Sequence, residues 1–394
     1  MKRWLFTLSL ACGLVAFAQG DIVIGWSGAV TGPTSDAGQF VIQGIEDYCA
    51  YANEEGLIPE YNLTCITSDD GYDNDNSLRN FEGFLDEGMS AFISYATGAT
   101  LQLKVNAVEE EIPVISASLH IGVIDPPDNE FNFLPITSYS EQVVALLDWI
   151  ADNHEGDAPK VAMLVHPSAF GRAPVEDAEA AAAELGIEIV EVQEHGEGLD
   201  YTAMLQRWDN SGVQYVIGQS VQSPIAALLN TASDLGLTEK MTFMGAHYTG
   251  GNTLTSLAGE AAEGFLWATS FALPDNIPFQ RELGERYGRG EDTISDVNYT
   301  TGLLQAATFI EAARRAAETG EVSSLTIHEQ LLAMNEAGGG TFDAGGFGVG
   351  PVSFAEDDRT GVDELKLFQV QEGAFVEFSE AFNSETFRQV HPPQ

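Results

Sequence analysis

Several short stretches carry side chains that could do chemistry, and each directly follows an apolar, strand-like run. Tyr95-Ala-Thr-Gly-Ala-Thr100 offers the hydroxyls of Thr97 and Thr100. It also has small residues at Gly98 and Ala99 that admit close backbone approach, and a helix from Leu101 whose positive end points at the same spot. Ser116-Ala117-Ser118 adds two more hydroxyls at the next strand end. Free N–H groups, small residues and hydroxyls together suit a carboxylate or another polar acceptor. Thr100 reads as a helix cap. Later in the chain Phe170, Gln219-Ser220-Val221-Gln222 and Ala246-His247-Tyr248 stand at similar places, and an aromatic ring there suits an apolar or aromatic ligand.

The motifs of catalysis are missing. The sequence has no Gly-x-Ser-x-Gly elbow, no His-Glu-x-x-His, no Walker loop and no dinucleotide fingerprint, so neither an enzyme nor a cofactor is expected. Asp69–Asp75 is acidic enough to suggest calcium, but the spacing of glycine and glutamate fails the calcium-loop pattern. It reads as a solvated turn, and no metal site is expected. The Gly-rich stretch Gly338–Gly350 lacks a following Lys-Ser/Thr and opens no helix, so it reads as a loop.

The elements that must position these residues alternate along the chain. Strand-like runs at Ile22–Gly25, Leu63–Thr67, Ala91–Ser94, Pro113–Ser116, Val161–His166, Ile187–Val192, Tyr215–Gly218, Thr242–Gly245 and Gly264–Thr269 are separated by helical stretches. This pattern makes parallel sheets flanked by helices. At 394 residues the chain exceeds one ordinary core. The pattern resets near Pro135–Ser140, Ala268–Asn276 and Gly350-Pro351. The expectation is an α/β fold of two Rossmann-like lobes joined by a three-segment hinge. One lobe is 19–137 plus 272–350, the other 138–271 plus 351–394.

Lys2 and Arg3, the apolar run Trp4–Phe17 and Ala16-Phe17-Ala18 read as an export signal (residues 1–18) cleaved after Ala18, with lipidation at Cys12 a weaker reading. The expected location is periplasmic or otherwise extracytoplasmic. Cys49 and Cys65 then remain, on neighbouring elements in an oxidising compartment, and a disulfide is expected between them. Without Lys2 and Arg3 the chain has 14 basic residues against 60 acidic ones, a formal charge of −46. Such a surface repels nucleic acid.

A set of residues spread over the whole mature chain resembles one family. They are Gly28–Gly38 with Thr31-Gly32-Pro33, Asn53-Glu-Glu-Gly56, Ser68-Asp-Asp70, Ile112–Ser118, Phe170-Gly-Arg172, Phe243-Met-Gly245, Glu260–Gly264, Asn298-Tyr299 and Gly350-Pro351. In this order they are similar to type I periplasmic solute-binding proteins of the leucine/isoleucine/valine and amide-binding group. The resemblance implies a monomer that closes around a small solute, an amino acid of the branched-chain kind, and hands it to an ABC permease and its ATPase. It places Thr97 and Ser118 on the ligand's carboxylate and Phe170 on a side-chain wall. It also puts His247 where family members carry an acid for the ammonium group, leaving Asp296 or Asp36 to replace that acid. Asp36 itself reads as a solvated loop residue. The rival readings are a carrier of an aromatic or aliphatic acid or amide without an ammonium group, and a sensory ligand-binding protein.

With so few cations among the acids, self-repulsion opposes folding until salt screens it. The melting temperature is expected to rise between low-millimolar and molar sodium chloride, and a flat or falling curve contradicts this.

Overall fold

Apolar residues of the first run are buried from Ile22 to Gly28 because their strand, β1 (Gly20–Gly28), is central and covered on both faces. The computed structural model describes residues 20–392, so the export signal and Cys12 lie outside the described residues. Beside β1 stand β2 (Tyr61–Asp69), β3 (Met89–Ser94), β4 (Val114–Ser116) and β5 (Asn132–Ile136). They are all parallel, in the spatial order β2-β1-β3-β4-β5. A second sheet repeats that order with β6 (Lys160–Val165), β7 (Glu188–Glu194), β8 (Tyr215–Gln219), β9 (Thr242–Gly245) and β10 (Leu266–Thr269). Its arrangement is β7-β6-β8-β9-β10. In each sheet the winding reverses beside the first strand, between β1 and β3 and between β6 and β8, which opens a crevice at the carboxyl ends.

Three crossings join the sheets. The first leaves β5 at Thr137 and enters the helix Tyr139–Asn153, capped by Ser138, whose hydroxyl takes the Glu141 N–H at 3.1 Å. The second leaves β10 at Ser270. The third is displaced from the expected Gly350-Pro351. β11 (Thr360–Val362) lies parallel to β5 in the first sheet, so the chain crosses only at Asp363–Leu365. It then forms β12 (Lys366–Gln371) and β13 (Ala374–Glu377), antiparallel strands on the edge of the second sheet. Residues 351–362 therefore belong with the first sheet. The Gly-rich stretch runs along the second crossing, where Phe271 bridges Gly348 and the Val349 N–H donates to the Ser270 carbonyl at 2.8 Å.

The first lobe is closed by two helices in backbone contact, Ser35–Glu55 and Val297–Thr319. A Cβ on Gly302 would stand 2.0 Å from the Val41 carbonyl oxygen, and one on Gly44 2.4 Å from that of Tyr299, so both positions require glycine. Around this crossing the buried Asp47 accepts two bonds from Arg289, at 2.8 and 2.7 Å, and one from the Tyr299 hydroxyl at 2.7 Å. Gly56, at φ 64°, ends the first of these helices in the left-handed conformation that glycine adopts without penalty. Among the described residues, no helix is long and apolar enough to cross a membrane.

Cys49 on that helix and Cys65 on β2 are joined in a disulfide, their Cα atoms 6.4 Å apart. The bond closes a loop of 16 positions, which in the chain-entropy model stabilises by about 3 kcal/mol. Replacing both cysteines with serine should lower the unfolding free energy by about that amount, measured by denaturant titration. Two alkylatable thiols in the unreduced protein would contradict the bond.

Candidate functional site

The crevice residues converge on a small void, about 20 Å³, between the two lobes. The first lobe contributes Thr34, Tyr72, Tyr95, Thr97 and Ala117. Phe170, Val221 and Tyr248 face them from the second lobe, and Tyr139 stands at the first crossing. Every one follows a strand or opens a helix, as the winding of the sheets requires.

Thr97 is the first residue of the helix Thr97–Glu109, which begins four residues before the expected Leu101 because Ala96 is extended backbone. Its first intrahelical bond is Thr100 N–H to the Ala96 carbonyl at 2.9 Å, so the amides of Thr97, Gly98 and Ala99 have no partner inside the helix. The Thr100 hydroxyl also donates to Ala96, at 2.9 Å, and so lies in the first turn instead of capping it. Ser118 donates to Thr97 Oγ1 at 2.8 Å and orients that hydroxyl beside the void. This corner has the partial positive charge of a helix start plus an oriented hydroxyl, the chemistry of a carboxylate site.

Of the residues expected to meet a ligand, Thr97, Ala117, Phe170 and Tyr248 line the void. Ser118 supports Thr97, and Gln219 supports Phe170 by donating to its carbonyl at 3.1 Å. Others point elsewhere. Gly98 faces the Asn74 side chain, which would stand 2.5 Å from a Cβ there, so the missing side chain makes room for Asn74. Ala99 and Ser116 are buried inside the first lobe. The Ser220 hydroxyl lies 2.6 Å from His195 Nε2.

His247 is the main correction. It is fully buried at the hinge, with Nδ1 2.9 Å from Thr269 Oγ1 and Nε2 3.4 Å from Thr301 Oγ1. Its N–H donates to Gln142 at 2.9 Å, and its carbonyl accepts from the Trp267 indole at 2.7 Å. The Thr301 hydroxyl donates to Val297, so the assignment that satisfies the ring is the neutral tautomer with Nε2–H toward Thr301. Burial lowers the imidazole to about 3, so it stays neutral. The backbone that turns His247 into the hinge presents Tyr248 to the void.

Neither proposed substitute acid lines the void. Asp296 is the buried cap of the helix Val297–Thr319, accepting from Asn298 N–H at 2.7 Å and from Thr253 at 2.8 Å, and burial raises it to about 6. Asp36 is not simply solvated. It accepts from Ser223 of the other lobe at 2.8 Å, and burial raises its pKa. Asp69–Asp75 is likewise no free turn. The Asp69 carboxylate takes the N–H groups of Val30, Thr31 and Gly71 and the Thr31 hydroxyl, at 2.7–3.1 Å, and so braces the mouth loop. Asp70 accepts the Tyr72 N–H at 2.8 Å and aims Tyr72, held at φ 65°, into the crevice.

Sequence reading missed Thr34, Tyr72, Tyr95 and Tyr139, while Val221 lies in the Gln219–Gln222 stretch it had singled out. Tyr95 opens the hydroxyl-rich stretch already singled out, so its position after β3 was a usable signal. Tyr72 gives none, since only its unusual backbone angle turns it inward. Trp26 packs beneath Tyr95, ring centroids 6.3 Å apart, and stays out of the void. Among the described residues no metal-binding cluster occurs.

Comparison with known proteins agrees with this fold. The periplasmic binding protein family model matches residues 21–374. A branched-chain amino acid ABC transporter protein from Thermus thermophilus, solved with bound valine, is 49% identical. The alignment covers 94% of this chain and 98% of that one, with a TM-score of 0.90. The Leu/Ile/Val-binding protein homolog 2 of Brucella abortus is 25% identical, over 73% of this chain and 77% of its own. A solute-binding protein from Rhodopseudomonas palustris, solved with 3,4-dihydroxybenzoic acid, shares the fold at 18% identity. It aligns with 92% of this chain and 97% of its own at a TM-score of 0.76.

His247→Glu would bury a carboxylate with no cation beside it. It should cost about 2–5 kcal/mol of stability in a denaturant titration. The ratio of amino-acid to deaminated-acid affinity should not change. A rise in that ratio would return position 247 to the ligand.

Proposed function

The chain belongs to the periplasmic binding protein family, and on that premise we propose that it captures a branched-chain amino acid outside the cytoplasm and delivers it to an ABC importer. The observation that carries the reading is the pairing of the Thr97 helix start, apt for a carboxylate, with an aromatic and aliphatic wall across the cleft. The valine bound to the Thermus thermophilus protein at 49% identity supports the same ligand class.

The binding cycle follows from the two lobes. A ligand first meets the corner of Thr97 and Ser118 in the open cleft, where free amides and a hydroxyl hold its carboxylate. Closure then brings Phe170, Val221 and Tyr248 over its side chain. The Tyr248 hydroxyl donates to the Ala117 carbonyl at 2.7 Å, a direct lobe-to-lobe bond. Asp36–Ser223, and Tyr72 with Ser168 Oγ at 3.4 Å, close the mouth. These bonds form only in the closed state, so ligand and closure stabilise each other, and the permease is offered one shape that reports occupancy. The chain would act as a monomer at a permease with its own ATPase, without cofactor or catalysis. A solute without an ammonium group remains the second reading, favoured by the absence of any charged side chain among the residues lining the void.

Calorimetry with valine, leucine and isoleucine is expected to show tight binding. Thr97→Val should weaken it tenfold or more, by loss of a bond to a charged group worth about 1.5–3 kcal/mol. Failure of all three amino acids to bind, with an aromatic or aliphatic acid binding instead, overturns the reading.

A further inference from the structure

An amino acid carries its ammonium one carbon from its carboxylate, so a ligand seated at Thr97 must place that charge close by. The backbone acceptor at this point, the Ala117 carbonyl, already takes the Tyr248 hydroxyl at 2.7 Å and lies 3.5 Å from that of Tyr139. No carboxylate lines the void. Asp36 is bonded to Ser223, Asp296 caps its helix, and His247 is buried and neutral in the hinge. Aromatic faces are what the site offers in their place. The ring of Tyr139 lies 5.2 Å from that of Phe170 and 6.2 Å from that of Tyr248, and Phe170 lies 5.8 Å from Tyr248, all as centroid distances. Three centroids this close leave positions from which one ammonium is within about 6 Å of each, the reach of a cation–π contact.

We infer that the cleft recognises the ligand's ammonium group through the faces of Tyr139, Phe170 and Tyr248 and not through a carboxylate. The inference rests on the amino-acid reading of the cleft and names how that site tells an amino acid from its deaminated analogue. A cation held by ring faces is attracted by their negative quadrupole, and the attraction is strongest where water is excluded, as it is among rings this buried. In the closed cleft the rings are held in place. Tyr248 is tied to Ala117 across the cleft, while Phe170 is held by the Ser168 cap and by Gln219 on its carbonyl.

Phe170 allows a clean test because its ring makes no hydrogen bond that a substitution would remove. L-valine and its deaminated analogue 3-methylbutanoate are titrated by calorimetry into the full protein, Phe170→Leu, Phe170→Tyr and Asp296→Asn, the last a change that keeps a helix-capping side chain. The wild type should prefer valine. Phe170→Leu should reduce that preference three- to tenfold, Phe170→Tyr should keep it, and Asp296→Asn should leave the ratio within twofold. An unchanged ratio in Phe170→Leu, or a collapse in Asp296→Asn, overturns the inference. If the wild type binds neither compound, or binds 3-methylbutanoate alone, the amino-acid reading fails first and takes this one with it.

Discussion

Everything in the cleft depends on the knot of hydrogen bonds where the first two crossings run side by side. Thr137 Oγ1 and Ser270 Oγ, one on each crossing, are 2.7 Å apart. Gln142 ties the first crossing to the end of β9, donating to the Thr137 carbonyl at 2.8 Å and accepting from His247 N–H. His247 continues the knot to Thr269, Trp267 and, on the long helix, Thr301. These groups are buried, so each must be paired, and the pairing sets the position from which the two sheets face each other. A shift of this knot would move Tyr139 and Tyr248 together, since both are chain neighbours of its members.

The electrostatic design separates the surface from the site. The chain carries 60 acidic residues, yet none lines the void. Several acids around the cleft are spent on structure: Asp69 on the mouth loop, Asp70 on Tyr72, Asp36 on the opposite lobe and Asp296 on a helix start, while Asp73 and Asp75 stand at its mouth beside Tyr72 and Ser168. Behind the hinge His391 does similar work, 3.2 Å from Asp125 of the first lobe and 3.2 Å from Asp177 of the second. Those two carboxylates raise it to about 10, keeping it cationic. Arg289 and His391 thus serve as clamps, and the side chains lining the void carry no charge.

Much of this was legible without a structure. The alternation of strand and helix, the two early crossings, and the Thr97, Ala117, Phe170 and Tyr248 positions follow from strand ends in parallel sheets, a local rule read directly from pattern. β11 escaped because Thr360–Val362 is three residues long and follows a turn, too short for periodicity to mark. Its pairing with β5 is a contact between distant parts of the chain. The late start assigned to the Thr97 helix had a different cause: Thr and Gly weaken the helical pattern, whereas the extended Ala96 and the free first turn fix the start.

Side-chain direction was the part that chain order could not supply. His247 and Tyr248 are adjacent, and both follow β9; which of them meets the ligand turns on a short helical turn, His247–Thr249, whose orientation is set by Trp267 and Gln142. Asp36, Asp69 and Asp70 look like surface acids in sequence because their long-range partners lie 38 or more positions away, or on the other lobe. Composition, order of elements and strand-end chemistry therefore determined the fold class and the place of the cleft. Only the packing of two lobes on one buried hinge decided which residue of each strand end faces inward, because desolvated polar groups had to find partners first and the ligand wall is made of the residues left over.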